Sequence, residues 1–321
     1  MAGLAFGTSM WDDLPSTLGL RVEGGILKGT WNGLQVDAQF DNPYDRQRER
    51  YDHVTYLRAY FDPPLLLGGM REVRGLDSEH RKRVLDQTVL GPLAQSVVNA
   101  TQLSEYWVGH ASVSGQWWRH EGSPQRFRIG FDGLVHAAKV ISARRAADPA
   151  PWERPVQSNW PAVAKAWGLS IDTQRYRLWA KVHGRDVLVC PTIESDPLAP
   201  KTDVFTTKVQ VQVGLPQGTS LSLARQGDGF FSRIFRGQDV KLGDEAFDAA
   251  FVVKGEPETF VRGALGPSVR AHLSSLRASG YEVTFHDGVL EVFAPTFTST
   301  AEQLDELLKR AFSAATAFGV G

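Results

Sequence analysis

His110, His120 and Glu121 are the only local group of metal-ligand types in this chain, and the chemistry they suggest is coordination of a divalent cation. Zinc sites use closely spaced ligand pairs on one face, whereas the adjacent His120 and Glu121 would point to opposite faces of a strand. No metal is expected there. The same stretch concentrates aromatic residues: Tyr106, Trp107, Trp117 and Trp118 lie within segment 105–121. Trp107, Trp117 and Trp118 could wall a pocket for a flat or apolar ligand. The preferred reading is an extra hairpin that widens a sheet, because strands favour aromatics for packing alone.

Two further stretches carry charge beside apolar or acidic groups. Arg46, Arg48 and Arg50 could hold an anion, but the interspersed Asp45, Glu49 and Asp52 describe a self-neutralised loop. Phe230, Phe231, Arg233, Ile234, Phe235 and Arg236 form an apolar and basic segment. Burial of its phenylalanines between the two halves is preferred; the alternatives are a partner-binding patch or peripheral contact with an anionic membrane surface. Downstream, Asp244 precedes Phe247, Asp248 and Phe251. The expected roles are structural, with Asp244 capping a turn and the two phenylalanines filling the core. The Phe-Asp-x-x-Phe pattern before a short leucine-bearing helix, over about residues 240 to 275, resembles uncharacterised bacterial proteins. The resemblance implies a domain type and no chemistry.

The chain has no His-Glu-x-x-His, no paired cysteines, no Gly-x-Ser-x-Gly, no phosphate-binding lysine loop and no dinucleotide glycine fingerprint. Catalytic residues and cofactors are therefore assigned as none. Lys and Arg total 35 against 36 Asp and Glu, so no field gathers phosphates and nucleic acid is not expected as a partner. The single cysteine, Cys190, fits a reducing compartment. The opening residues lack a secretory pattern, and no apolar run has the length of a transmembrane helix. A cytoplasmic location is expected.

The elements that must position these residues are read twice. Trp11 stands before Gly19-Leu20 as Trp160 stands before Gly168-Leu169, and the turn Asn32-Gly33 recurs as His183-Gly184. Leu90-Gly91-Pro92 is matched with Leu265-Gly266-Pro267, and Asp132-Gly133 with the turn Asp287-Gly288. Alternation predicts strands over 26–31, 34–40, 54–61 and 65–73 in the first copy. In the second it predicts strands at 176–182, 186–190 and 208–213, with 220–223 closing the meander. Helices are expected over about 78–101 and 256–279, broken or restarted at Pro92 and Pro267. Pro161 is expected at a first helical position, and Ser299 with Glu302 as a capping box before a last amphipathic helix.

The expected fold is α+β: two tandem, diverged copies of an antiparallel β-meander with helices on one face, in a pseudo-twofold arrangement. The first copy spans 8–146 with an aromatic-rich insertion at 103–126, a proline-rich linker spans 147–156, and the second copy spans 157–321. The leading function is a non-enzymatic binding or scaffold protein of the bacterial cytoplasm that recognises another protein. The alternative is an enzyme or small-ligand receptor with its site in the cleft between the copies.

Overall fold

A computed structural model of the chain describes residues 13–41, 44–45, 50–51, 54–62, 65, 72–74, 76–85, 96–97, 99–109, 111–119, 121–195, 202–226 and 239–319. The chain divides into a first unit, Met1–Glu72 with Leu76–Ala150, and a second, Val73–Gly75 with Pro151–Gly321.

The first unit runs α1 (Leu14–Leu18), β1 (Arg21–Glu23), β2 (Ile26–Trp31), β3 (Leu34–Asp41), the small pair β4 (Tyr44–Asp45) and β5 (Arg50–Tyr51), and β6 (Val54–Tyr60). β7 (Glu72–Arg74) falls mostly in the second unit, and the first continues with α2 (Ser78–Val84), β8 (Glu105–Val108), β9 (Ser112–Trp117) and α3 (Pro124–Ala147). Its antiparallel sheet has the order β1-β2-β3-β6-β9-β8. The second unit runs α4 (Glu153–Trp167), β10 (Ser170–Asp172), β11 (Arg177–Val182), β12 (Arg185–Ser195), β13 (Thr202–Gln212), β14 (Ser220–Arg225), α5 (Glu245–Ala250) and β15 (Phe251–Glu256). It ends with α6 (Glu258–Ala264), α7 (Pro267–Ala278), β16 (Glu282–His286), β17 (Val289–Phe293) and α8 (Ala301–Ala317). Its sheet has the order β10-β11-β12-β13-β17-β16-β14-β15, and β7 also pairs with β13. Both are α+β meanders with helices packed against the sheet.

The repeated sequence marks have a common physical cause. Gly19 and Gly168 end α1 and α4 in the left-handed region, each at φ +66°, where a side chain would be strained. The following Leu20 and Leu169 N–H groups donate back to Pro15 and Ala164 oxygens, each at 2.8 Å. Asn32-Gly33 and His183-Gly184 both have positive φ at the two turn positions, and each joins the second strand of its sheet to the third. That shared phase puts Val36 and Ala38 of β3, and Val187 and Val189 of β12, on the buried face.

Several expectations are corrected. Asp132-Gly133 is no turn: both residues lie inside α3. The partner of the Asp287-Gly288 hairpin is the β8–β9 hairpin, which sits beside β6 as β17 and β16 sit beside β13. Segment 105–117 is thus part of the common frame and not an insertion. The strand at 220–223 does not lie next to β13; β17 takes that place, pairing Val211 with Leu290 and Val209 with Val292, apolar on apolar. In the first copy the run 65–73 is described as strand only at β7, which adds to the second unit's sheet. Leu90-Gly91-Pro92 lies outside the described residues.

The linker is shorter than expected, since α3 continues to Ala147 and α4 begins at Glu153. Pro155 falls in the first turn of α4, where its missing N–H has no helical partner to lose. Pro161 lies inside α4 and does not start it. Pro267 does open α7. The capping box of α8 is one residue later than expected, at Thr300 and Gln303.

The second core gathers Val209, Val211, Leu290, Val292, Leu304 and Leu308, all without exposed surface. Val211→Asp and Leu308→Asp each strand a charge in that core and are expected to destabilise on the order of 4 kcal/mol. Denaturant or thermal unfolding of the two variants checks this; wild-type midpoints would mean the faces are misassigned.

Candidate functional site

The first sheet has one face covered by α3 and one that carries polar groups. Alternation sends Leu57, Ala59, Val113 and Trp117 toward the helix, all buried, and turns Tyr56, Arg58, Tyr60, Ser112 and Ser114 the other way. α3 lies close because two of its positions lack side chains. A Cβ at Gly130 would stand 3.0 Å from Leu57 and 3.1 Å from Trp117, and one at Gly133 would stand 2.7 Å from Thr101. Asp132, between them, accepts hydrogen bonds at 2.8 Å from both Trp31 Nε1 and Asn32 Nδ2, tying the helix to the β2–β3 turn.

On the opposite face Asp37 is 6% exposed, an unusual place for a carboxylate. It is fully engaged. Tyr60 Oη donates to Oδ2 at 2.6 Å and Arg58 Nε donates to Oδ1 at 2.7 Å, while Arg58 Nη2 reaches Gln39 Oε1 at 3.4 Å. Arg58 and Tyr60 follow one another on the same face of β6, and Asp37 lies directly across from Arg58 on β3. Charge-assisted bonds of this kind hold all three side chains in one geometry. Burial, then the hydrogen bond to Asp37 and its negative charge, push the Tyr60 phenol up to about 12, against the opposing pull of Arg58. Tyr56 is raised as well, by burial and by the charges of Asp41 and Glu105.

Beside this network is a groove of about 380 Å³ whose lining includes Gln39, Asp41, Tyr56, Arg58, Trp107 and Ser114. Trp107 meets Tyr56 edge to face, with ring centroids 6.3 Å apart and planes at 79°, so the rings form two walls of a corner. The register of the second sheet places different chemistry at the same positions. Asp37, Arg58, Ser114 and Trp107 correspond to Leu188, Gln210, Glu291 and Thr284. There the carboxylate has moved to Glu291, which accepts from Gln210 at 2.6 Å, Thr284 at 3.1 Å and Lys208 at 3.3 Å. Burial raises the Glu291 carboxyl, but those hydrogen bonds and the Lys208 charge outweigh it and hold it below the usual value.

The three expected tryptophans separate. Trp107 lines the groove and Trp118 is exposed, whereas Trp117 is interior, packing on Phe127 with centroids 5.6 Å apart and donating to the Thr101 oxygen. Trp117 is therefore unavailable as a pocket wall. Phe230, Phe231, Arg233, Phe235 and Arg236 lie outside the described residues, as do Arg46, Arg48, His110 and His120. Glu121 is buried and accepts from Arg119 and Arg126 at 3.1 Å and from the Ser123 N–H at 2.9 Å, a clamp at the start of α3. Among the described residues no group of three or more His, Cys, Asp or Glu is placed to hold a metal ion.

Asp244 caps α5 by accepting from the Phe247 N–H, and Asp248 accepts from the Leu242 and Gly243 N–H groups, each at 3.0 Å. Phe247 and Phe251 are buried with rings 4.7 Å apart, so this motif is structural. The Asp37 network escaped the reading of the sequence. Its signal was the polar alternation Asp37, Gln39, Asp41 along β3 opposite Tyr56, Arg58, Tyr60 along β6.

No family model matches the chain, and no curated protein matches it. Among solved structures it is similar to the crystal structure of the mycobacterial trehalose monomycolate transport factor A, with a TM-score of 0.35 and 13% identity, over 53% of this chain and 95% of that one. Among the described residues no helix is long and apolar enough to cross a membrane.

The Tyr60 phenol predicts an alkaline dependence of stability. An unfolded phenol ionises near 10 and the folded one at about 12, so its contribution is complete below pH 10 and is lost as pH rises through 12. Tyr60→Phe is expected to cost about 1 to 2 kcal/mol at neutral pH and to flatten the fall above pH 10. Urea unfolding from pH 8 to 12 measures both; an unchanged alkaline slope in the variant would remove Tyr60 from the account.

Proposed function

We propose that this chain is a non-enzymatic binding protein of the bacterial cytoplasm and that it recognises another protein. The observation carrying this reading is the outward face of the first sheet. Trp107, Tyr56 and Arg58 are the side-chain types that anchor protein interfaces; all three line the groove, and Arg58 is already held in place by its bond to the Asp37 carboxylate. A surface ordered before binding loses less entropy when a partner docks. The cytoplasmic assignment rests on the sequence alone, through its single cysteine. A small-ligand receptor is the second reading, favoured by a groove volume within the range of ligand pockets.

Affinity capture from the native organism, read by mass spectrometry, tests the proposal with wild type and Trp107→Ala side by side. The half-buried Trp107 is expected to be replaceable with little change in melting temperature, while recovery of a specific partner falls by about tenfold or more. Equal recovery by the variant would take the groove out of the interface. A small-molecule extract that raises the melting temperature of wild type and not of Trp107→Ala would replace the protein partner with a ligand.

A further inference from the structure

The two units differ at one sheet edge. In the second, β16 is an interior strand, with β17 on one side and β14 on the other, where Leu223 lies opposite Phe285. In the first, the equivalent strand β8 ends the sheet, and among the described residues no strand pairs with its outer edge. The equivalence is fixed by register, since Val108 faces Val113 as Phe285 faces Leu290.

The phase of the hydrogen-bonding groups agrees as well. The Gly109 N–H donates to the Ser112 oxygen at 2.8 Å, which makes these two a bonded pair. Bonded and non-bonded pairs alternate along an antiparallel ladder, so Trp107 and Glu105 are bonded to β9 while the N–H and C=O of Tyr106 and Val108 point outward. In the second unit the same phase turns Val283 and Phe285 outward, and Phe285 is the residue that meets β14.

Sheet edges are normally blunted by charge, proline or a bulge. β1, the opposite edge of the first sheet, carries Arg21 and Glu23 paired at 2.7 Å. β8 reads Glu105, Tyr106, Trp107, Val108, with two aromatic residues at its centre and a β-branched one at its end. The Tyr106 hydroxyl beside it is buried without a hydrogen-bond partner.

We propose that the outer edge of β8 accepts an extended segment of a protein partner as an added antiparallel strand. The proposal rests on the protein-binding reading and names its mode. The chain itself supplies the template: β14 fills the equivalent edge with Leu221 and Leu223 buried and Ser220 and Ser222 on the other face. The partner segment therefore alternates apolar residues toward the helix-covered face with polar ones toward Trp107 and Arg58. Main-chain bonds supply the affinity and the alternate side chains the selectivity.

Residue-resolved amide exchange on the full chain tests this, with a synthetic peptide of residues 218–227 as the probe. At millimolar peptide, exchange of the Tyr106 and Val108 amides is expected to slow by at least about tenfold, while those of Glu105 and Trp107, already bonded to β9, stay unchanged. A peptide carrying Leu221→Pro and Leu223→Pro should give no protection. Val108→Pro removes an outward N–H while leaving the β9 bonds, and should abolish the effect at Tyr106 with its fold intact by melting. Absence of protection with the wild-type peptide, or protection that survives Val108→Pro, overturns the proposal. So does protection that grows with protein concentration alone, which would make the occupant a second copy of this chain. A native partner captured equally by wild type and Val108→Pro would sink strand addition and leave protein binding standing; no captured partner at all would sink protein binding itself.

Discussion

The open face of the first sheet depends on one two-residue turn. Asn32 and Gly33 both require positive φ, and together they close β2 onto β3 with Trp31 opposite Leu34. A slip of one residue would turn Val36 and Ala38 to the outside and carry Asp37 into the core beneath α3, where no arginine waits for it. The carboxylate network and the polar wall that β3 gives the groove follow from that phase, while Trp107 takes its place from the pairing of β8 with β9. The same turn is held a second time, through its Asn32 side chain, by Asp132 on the helix. Local backbone chemistry and long-range anchoring thus specify the same register, which is what a sequence with a single folded answer requires.

Duplication has been used here to keep a frame and change its surface. The two sheets share strand order over their first six members and share the left-handed glycine caps that precede them. What differs is the polar chemistry on the uncovered face. An Arg–Asp–Tyr network bridges β3 and β6 in the first, whereas a glutamate fed by amide, hydroxyl and ammonium donors bridges β13, β16 and β17 in the second. The second frame also carries β14 and β15 in its own sheet, so its ladder is longer by two strands on that side.

How much of this could be read from the residues depended on whether the signal was local. The valines of β13, the Asn-Gly and His-Gly turns and the apolar face of α8 were legible, because period and turn chemistry are properties of a few consecutive residues. Strand neighbourhood is not such a property. Ser220 to Leu223 has the right alternation for a strand but nothing that says β17, and not β14, will lie against β13. Glycine was ambiguous for a different reason. Gly288 serves a backbone with positive φ, while Gly133 serves the approach of a helix to its neighbours, and the same Asp-Gly pair reads alike in both settings. The Asp37 network was hidden because an alternating Asp, Gln, Asp on a strand reads as a solvated face. Only the register that puts Arg58 opposite Asp37, with Tyr60 beside it, shows that this face is partly interior.

The glycines of α3 set helix propensity against docking. Replacing glycine by alanine inside a helix ordinarily gains about 0.5 to 1 kcal/mol, so a stabilisation programme guided by local preference would begin at Gly130 and Gly133. Here each added methyl group would meet a neighbour at or under the closest distance that real contacts tolerate, with Leu57 and Trp117 on one side and Thr101 on the other. Either those buried side chains give way or the helix shifts, and a shift would carry Asp132 with it and loosen the clamp on the β2–β3 turn from which the open face takes its phase. In this fold the weakest helix formers are the residues that let the helix pack as closely as it does, Gly130 against the sheet and Gly133 against Val97 and Thr101.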